Sequence, residues 1–272
     1  MNVRTKVALR YVHALVGTLG VDPLKTALSL RGLPTYIRDF LRLRRLTIDR
    51  EFPFGKPHPC LEDRYWQGGT AKGHYFHQDL LVARRIFEQQ PQHHVDVGSR
   101  IDGFVAHVAA FREIEILDIR PLTSHIPNVS FRQGDLMSEL PIELHGICDS
   151  LSCLHTIEHF GLGRYGDPID PKGHEKGLAN LTQMVTPGGK LFLSTPIGPQ
   201  RIEFNAHRVF SVRHLLNLVE RDFHVDHFSF VDDNGDLHEN AALESGQIDQ
   251  NYGCHYGCGI FELTRMSQGP VE

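Results

Sequence analysis

The sequence lacks the features that mark secreted, membrane-spanning and low-complexity proteins. Five cysteines in 272 residues are an odd number and too few for a disulfide framework. No apolar run is long enough to cross a bilayer, and no repeat or low-complexity tract occurs. Arg10 and His13 interrupt the apolar N-terminal stretch, and no small-residue cleavage site follows. These absences predict a cytoplasmic protein in a reducing compartment.

A large positive charge is also missing. The net charge of -5 excludes a general nucleic-acid binder, and a hydrophobic content of 40% is ordinary for a globular chain. Basic residues are concentrated in residues 1–50, above all in the segment IRDFLRLRRLTIDR. This segment favours either peripheral contact with the inner membrane face or a partner, or a solvated helix face. Homo-oligomer formation is left open.

Hydrophobic periodicity divides the chain at residue 73. Residues 1–73 are predicted to form a basic helical extension, punctuated by Pro23 and Pro34, and then a lid-like loop rich in Pro, Gly and aromatics. Over residues 74–272 strands alternate with helices, and the last two strands enclose a long excursion. The predicted fold is therefore a Rossmann-like, doubly wound, mostly parallel seven-stranded sheet with an antiparallel edge hairpin.

The segment HHVDVGSRIDGF, residues 93–104, reads as a strand, a glycine turn and a helix. Asp118 ends the next strand about twenty residues later, a pairing typical of nucleoside cofactor sites in which the acid binds the ribose hydroxyls. Asp96 is predicted to approach a positive ligand group, and Asp135 to accept from an adenine amine. The predicted cofactor residues are Asp96, Gly98, Ser99, Arg100, Asp102, Asp118, Ile119, Asp135, Leu136 and Ser152.

The glycine turn separates two classes of cofactor. The GxGxxG pattern that brings backbone close to a pyrophosphate is missing, which disfavours an NAD-dependent oxidoreductase. Asp102 would repel a pyrophosphate, whereas it could face a ligand that carries a sulfonium and an ammonium. The turn therefore favours S-adenosylmethionine.

Several segments in order carry a family resemblance. The acid-x-Gly turn, the ribose acid, the Gly134-Asp135 pair, DSLSCLHTIEH and TPGGKLFLS resemble class I S-adenosylmethionine-dependent methyltransferases over about residues 75–265. HQDLLVAR, VDVGSRIDGF, LDIRPL and GLGRYGDPIDPKG resemble a domain-of-unknown-function family associated with bacterial surface polysaccharide genes. The resemblance implies an O-methyltransferase acting on a sugar of a surface glycan or its activated precursor. Arg100 and Asp102 depart from the small residues of the superfamily.

Transfer of a methyl group to a hydroxyl requires a general base. His159, after the fourth predicted strand, is the favoured base because histidine titrates near neutrality. His155, four residues earlier and on the same helical face, and Glu158 are the other catalytic candidates. The alternative is that one of the two histidines only packs or caps.

Polar residues on a Gly- and Pro-rich loop are predicted to bind a polyhydroxylated acceptor. The predicted substrate residues are Arg164, Tyr165, Asp167, Asp170, His207 and Arg208. No metal site is predicted, since aspartates beside His159 suit Mg²⁺ or Mn²⁺ only loosely and Cys254 to Cys258 lacks a second cysteine pair for zinc. A divalent metal stays the weaker alternative.

Two other functions are left open. One is methylation of a small molecule of another acceptor class, and the other is a non-catalytic scaffold that keeps the fold. The altered glycine turn favours the scaffold, whereas His159 and the three strand-end acids favour an enzyme.

Overall fold

A computed structural model describes residues 22–46 and 52–267, together with positions 17 and 20. The chain forms two compact units, residues 1–70 and 71–272. That residues 1–73 act as an extension and 74–272 as a separate domain stays a prediction. No helix within the described residues is long and apolar enough to cross a membrane.

The first unit is built on a long helix, α1 (Pro23–Leu46). Pro23 occupies the first helical position, where its missing N–H costs nothing, and Asp22 Oδ1 accepts a hydrogen bond from the Lys25 N–H. Pro34 was predicted to punctuate the segment but lies inside the continuous helix. In the basic segment, Arg38, Arg42, Arg44 and Arg45 lie on α1, whereas Arg50 and the apolar pattern of residues 9–16 fall outside the described residues.

Residues 52–70 of the first unit form a loop with one 3₁₀ turn, Asp63–Tyr65. Gly32 is the buried residue of α1, where the loop packs directly on the helix backbone. A Cβ at this position would lie 1.9 Å from the Leu61 carbonyl oxygen, so the contact requires glycine. Lys25 pairs with Glu62 and stabilises the same contact between helix and loop. The predicted role of the loop as a lid stays a prediction.

The second unit is an α/β structure. Its strands are β1 (His94–Val97), β2 (Ile114–Asp118), β3 (Val129–Gln133), β4 (Cys148–Leu154), β5 (Val185–Ile197), β6 (Arg201–Glu203), β7 (His207–Val209), β8 (Phe223–Val231), β9 (Leu237–His238) and β10 (Gly257–Arg265). Its α-helices are α2 (His74–Gln89), α3 (Ala106–Ala109), α4 (Gly173–Met184), α5 (Val212–Val219) and α6 (Ser245–Asp249). A π-helical turn, Ile101–Val105, leads into α3, and 3₁₀ turns cover Ile142–Leu144, Ile157–His159 and Asn251–Gly253.

The sheet has the order β3-β2-β1-β4-β5-β10-β8-β9. Strands β1 to β5 pair in parallel, and β10 enters antiparallel between β5 and β8. The predicted Rossmann-like, mostly parallel sheet with an antiparallel hairpin is therefore confirmed. A two-residue edge strand, β9, adds to the seven predicted strands, and β6 and β7 form a separate ribbon.

Two apolar layers cover the two faces of the sheet. One layer joins Leu117 and Leu193 to Leu181 of α4 and Leu216 of α5. The other joins Ile116 and Phe192 to α2 and to the helix after β1. Because side chains alternate along a strand, neighbouring residues such as Ile116 and Leu117 enter opposite layers. Burial on both faces explains why these strands read as apolar runs.

The predicted Pro187-Gly188-Gly189 turn lies inside β5 as a bulge. Cys148 of β4 pairs with Val185, and Ser150 pairs with Lys190, so extra residues loop out between the two pairs. Gly188 has φ +80° in this bulge. The strand therefore begins before the turn and continues after it, which the sequence pattern did not indicate.

Candidate functional site

A pocket opens at the carboxyl ends of β1 to β4. The strand order reverses between β1 and β4, and a crevice at such a point is where open α/β sheets bind ligands. The predicted site residues that line it are Gly98, Asp118, Ile119, Asp135, Leu136, His155, His159, Tyr165 and Asp167. The fold thus brings together residues from both sides of the switch point.

Gly98 forms the floor of the pocket. Its φ is +70°, and a Cβ at this position would lie 2.4 Å from Thr156 Cγ2. The Gly98 N–H donates to the Leu117 carbonyl oxygen at 3.0 Å, so the turn after β1 is tied to β2. Only glycine combines this backbone conformation with this close approach.

Asp96 lies beneath the pocket instead of lining it. Its carboxylate is fully buried and accepts hydrogen bonds from the Ser99 N–H at 3.0 Å, the Ser99 hydroxyl at 2.7 Å and the Ser152 hydroxyl. Burial raises the pKa of Asp96 to about 6, against the lowering effect of the two serines. Asp96, Ser99 and Ser152 were all predicted to bind the cofactor. They instead connect β1 to β4 by hydrogen bonds and do not line the pocket.

Arg100 and Asp102 also lie outside the pocket. Two guanidinium nitrogens of Arg100 donate to the two carboxylate oxygens of Asp102 at 3.1 and 2.8 Å. Both are exposed, and they line a neighbouring groove that also reaches Asp118. Because Arg100 neutralises Asp102, the turn does not carry the isolated negative charge that was predicted to repel a pyrophosphate.

Asp118, the predicted ribose acid, is held by Arg120. The Arg120 backbone N–H and Nε donate to Asp118 Oδ1 at 2.8 and 3.0 Å, and its Nη2 donates to Oδ2 at 2.6 Å. The same guanidinium lies 4.6 Å from the centroid of the Tyr165 ring. A ligand that binds Asp118 must share or displace this bidentate pair.

The far end of the pocket combines an acid with apolar side chains. Asp135 Oδ1 accepts from the Met137 N–H at 2.8 Å, and Oδ2 accepts from the Ser138 hydroxyl at 3.2 Å. Ile119 and Leu136 lie on the walls of this end. The arrangement suits a flat, largely apolar ring with a polar edge.

His155 and Glu158 form a buried ion pair at the pocket wall. His155 Nδ1 donates to Glu158 Oε1 at 2.8 Å, and the two side chains are 5% and 1% exposed. Burial acts to lower the pKa of His155, but the neighbouring Cys258 and Glu158 side chains outweigh it and raise this pKa well above its ordinary value. Burial acts to raise the pKa of Glu158, and His155 outweighs it and lowers that pKa. Glu158 is therefore a partner of His155 and does not line the pocket.

His159 differs from His155 in its hydrogen bond. Its Nδ1–H donates to the Ala206 carbonyl oxygen at 2.7 Å, which leaves Nε2 with a free lone pair. Burial lowers the pKa of His159, although the Glu158 carboxylate, 3.8 Å away, acts to raise it. His159 is therefore neutral at pH 7 and able to accept a proton.

The loop after His159 is organised by Asp167. Its carboxylate accepts from the backbone N–H groups of Gly161, Gly163 and Tyr165 at 2.9 to 3.1 Å. Tyr165 packs edge-on against His159, with ring centroids 5.4 Å apart. Tyr165 and Asp167 therefore lie on the side of the loop that lines the pocket.

The other predicted substrate residues support this loop from outside the pocket. Arg208 is buried and donates to the carbonyl oxygens of Phe160 and Pro171. Asp170 pairs with Lys176 at 2.6 Å. Arg164 donates to the Ala206 carbonyl at 3.0 Å, and the His207 ring lies 6.4 Å from that of His159.

Other pocket residues were missed in the sequence. Arg120 follows the ribose acid by two positions in LDIR, a spacing that could have indicated the ion pair. Thr156 and Phe160 lie in the HTIEHF segment, in which only the ionisable residues were predicted to belong to the site. The sequence drew attention to His155 and to Cys258 separately, but nothing in it indicated that their ligand atoms and those of His74 lie within 4.8 Å of one another.

The model of a family described as a Caenorhabditis protein of unknown function, DUF268, matches residues 139–252, less than half of the chain. The match includes the segment from His155 to Arg208 and excludes the glycine turn. Its description names no polysaccharide function, so the association with bacterial surface glycans is not supported by the match. No curated protein sequence is significantly similar to the chain.

Solved structures with a similar fold have low sequence identity to this chain. The N-methyltransferase NodS of Bradyrhizobium japonicum, in complex with S-adenosylhomocysteine, is 11% identical, with 72% of this chain and 89% of that chain covered and a TM-score of 0.47. The 1,6-didemethyltoxoflavin-N1-methyltransferase of Burkholderia thailandensis is 12% identical, with 91% and 92% covered and a TM-score of 0.47. The [4+2]-cyclase SpnF is 15% identical, with 71% and 82% covered and a TM-score of 0.48. At these values the similarities assign neither a cofactor nor a reaction to this chain.

Proposed function

We propose that the protein is an S-adenosylmethionine-dependent methyltransferase. The observation that carries the proposal is a pocket at the switch point in which a glycine turn, a strand-end acid and a neutral histidine meet. Gly98 allows close backbone approach, Asp118 offers a carboxylate to vicinal hydroxyls, and His159 offers a lone pair. Their arrangement at the carboxyl ends of β1, β2 and β4 suits a nucleoside cofactor beside a group that loses a proton.

The adenosine part of the cofactor fits the end of the pocket near β2 and β3. Asp118 would accept hydrogen bonds from the ribose hydroxyls after release from Arg120. Ile119 and Leu136 would cover the two faces of the adenine ring, and Asp135 lies where its exocyclic amine would be. The sulfonium then falls on the side of the pocket toward β4, where His159 lies.

We assign His159 the role of general base in transfer to an oxygen. Its Nε2 can accept the proton of a hydroxyl while the Ala206 carbonyl keeps the ring in one tautomer and orientation. A sugar hydroxyl is a weak acid and needs such a base. The polar loop around Tyr165 and Asp167 at the pocket supports a polyhydroxylated acceptor, which we take to be a sugar of a glycan or its activated precursor.

Calorimetry with S-adenosylmethionine tests the cofactor. Saturable 1:1 binding to the full chain is expected, and Asp118→Ala should weaken it by about 10- to 100-fold, the worth of charge-assisted hydrogen bonds offset by release of Arg120. Asp249→Ala is the matched control, because Asp249 pairs with Arg213 at 2.9 Å away from the pocket. No binding at millimolar cofactor would remove the enzyme proposal and leave a scaffold.

A second experiment identifies the acceptor. Glycans, nucleotide sugars, lipid-linked sugars and phenolic metabolites are incubated with the chain and cofactor labelled in its methyl group. Mass spectrometry is expected to find the label on a sugar hydroxyl. Label on a non-sugar acceptor would replace the acceptor class and keep the reaction.

A further inference from the structure

Behind the pocket wall, three side chains with metal-binding atoms converge. They are His74 at the start of α2, His155 after β4 and Cys258 at the start of β10, and their ligand atoms all lie within 4.8 Å of one another. The sheet topology explains why these three residues lie close together. Because β10 runs antiparallel to β5, its first residues lie at the same sheet edge as the carboxyl end of β4.

His155 presents an unpaired nitrogen to this cluster. Its Nδ1 is committed to Glu158, and its buried Nε2 has no hydrogen-bond partner among the described residues. A buried polar atom without a partner costs free energy unless something satisfies it. A carboxylate on the far nitrogen of an imidazole is the arrangement that orients metal-bound histidines and increases their basicity.

His74 lies beside His155 in this cluster. The two rings are nearly parallel, with centroids 5.2 Å apart and an interplanar angle of 5°. Two imidazolium rings this close would repel each other, whereas a metal ion held by the ligand atoms that lie within 4.8 Å of one another would be attracted to both neutral rings.

Cys258 supplies the third donor. Its side chain is fully buried, and its Sγ is 3.8 Å from Gln78 Oε1, a distance at which a thiol forms only a weak hydrogen bond. Charge balance also suits a metal here. A dication, a Cys258 thiolate and the Glu158 carboxylate sum to zero, so a bound ion would be buried without net charge.

We propose that His74, His155 and Cys258 form a zinc site with an open fourth position, separate from the cofactor groups of the pocket. Two imidazoles and a thiolate select Zn²⁺ over Mg²⁺ and Ca²⁺, which prefer oxygen ligands. Bond lengths of about 2.0 to 2.3 Å place tetrahedral ligand atoms about 3.3 to 3.8 Å apart, so the side chains close by about 1 Å on binding. Three protein ligands leave a position for water or substrate, the arrangement of catalytic zinc sites.

The test uses the full chain after removal of metal by a chelator, titrated with Co²⁺ alone as a spectroscopic substitute for zinc. Uptake of one ion is expected, with tetrahedral d–d bands and a thiolate-to-cobalt charge-transfer band. Added Zn²⁺ should displace Co²⁺ and abolish the bands, whereas Mg²⁺ should leave them unchanged. Failure of the wild-type chain to bind a stoichiometric ion would overturn the proposal without reference to any variant.

Variants then identify the ligands. Cys258→Ser should abolish the charge-transfer band, and His74→Ala, at a half-buried helix start, should weaken Co²⁺ binding at least tenfold. Cys254→Ser is the matched control, a buried cysteine four residues away that is not part of the cluster. Circular dichroism checks that each variant is folded. A band that survives Cys258→Ser in a folded chain, or one lost in folded Cys254→Ser, would contradict the assignment.

The metal experiment contains no S-adenosylmethionine and does not rest on the proposed function. Calorimetry with the cofactor on the same preparation separates the two. Co²⁺ uptake without cofactor binding would keep the zinc site and remove the methyltransferase, and cofactor binding without Co²⁺ uptake would do the reverse.

Discussion

The pocket around His159 and the cluster around His155 share one short segment, and their histidines differ in hydrogen-bond partner. His159 donates Nδ1–H to the Ala206 carbonyl oxygen, and burial lowers its pKa. His155 donates Nδ1–H to the Glu158 carboxylate, and its pKa is raised even though its side chain is the more buried of the two. The comparison shows that the hydrogen-bond partner sets how basic each ring is. A carbonyl oxygen leaves His159 a neutral base, whereas a carboxylate makes His155 more basic and therefore a stronger ligand for a cation.

The largest expected effect comes from removing the neutral histidine. His159→Gln should lower kcat about 100-fold or more, because the acceptor loses its base, while the affinity for S-adenosylmethionine stays unchanged. Turnover is measured with the acceptor found in the labelling experiment, and affinity by calorimetry. His224→Gln, an exposed histidine on β8, is the control and should keep full turnover. If His159→Gln is as active as the wild type, His159 is not the base and the contrast between the two histidines has no catalytic meaning.

A smaller effect is expected from a change in Glu158, the hydrogen-bond partner of His155. Glu158→Gln keeps an oxygen that accepts the Nδ1–H of His155 but removes the negative charge. Metal affinity should fall about tenfold, because an uncharged partner makes the ligand less basic and leaves the ion uncompensated. Cobalt titration in competition with a chelator measures the change. Unchanged affinity would mean that the carboxylate does not support the cluster.

The smallest expected effect is a shift in pH dependence. Since only neutral His159 accepts a proton, the rate should fall as pH decreases through its pKa. Burial lowers that pKa from its ordinary value of 6.5, so the acidic limb of kcat should lie below pH 6.5. The limb should be absent from the residual activity of His159→Gln. An acidic limb above pH 6.5 in the wild type would show that a different group, or a charged His159, controls the rate.

Predictions from the sequence were most accurate for features that depend on a few consecutive residues. A strand followed by a turn at Gly98 was predicted and is present, because a short apolar run and a glycine are properties of a few consecutive residues. Asp118 and Asp135 lie at the pocket for the same reason, since Asp118 is the last residue of β2 and Asp135 comes two residues after β3. Asp96 also comes from a strand end, yet its side chain lies on the face covered by α2 and α3, so it fixes the sheet instead of lining the pocket.

What the sequence alone determined is the succession of strands and helices along the chain, the glycine turn, and the acids at the end of β2 and just after β3, since these depend on spacing along the chain. The tertiary structure decided which partner each ionisable group meets. It paired Asp118 with Arg120, turned Arg208 to backbone carbonyls, and joined His74, His155 and Cys258 from three distant segments. The physical reason is that a pKa, an ion pair or a ligand set depends on distances across the sheet, which no local pattern encodes.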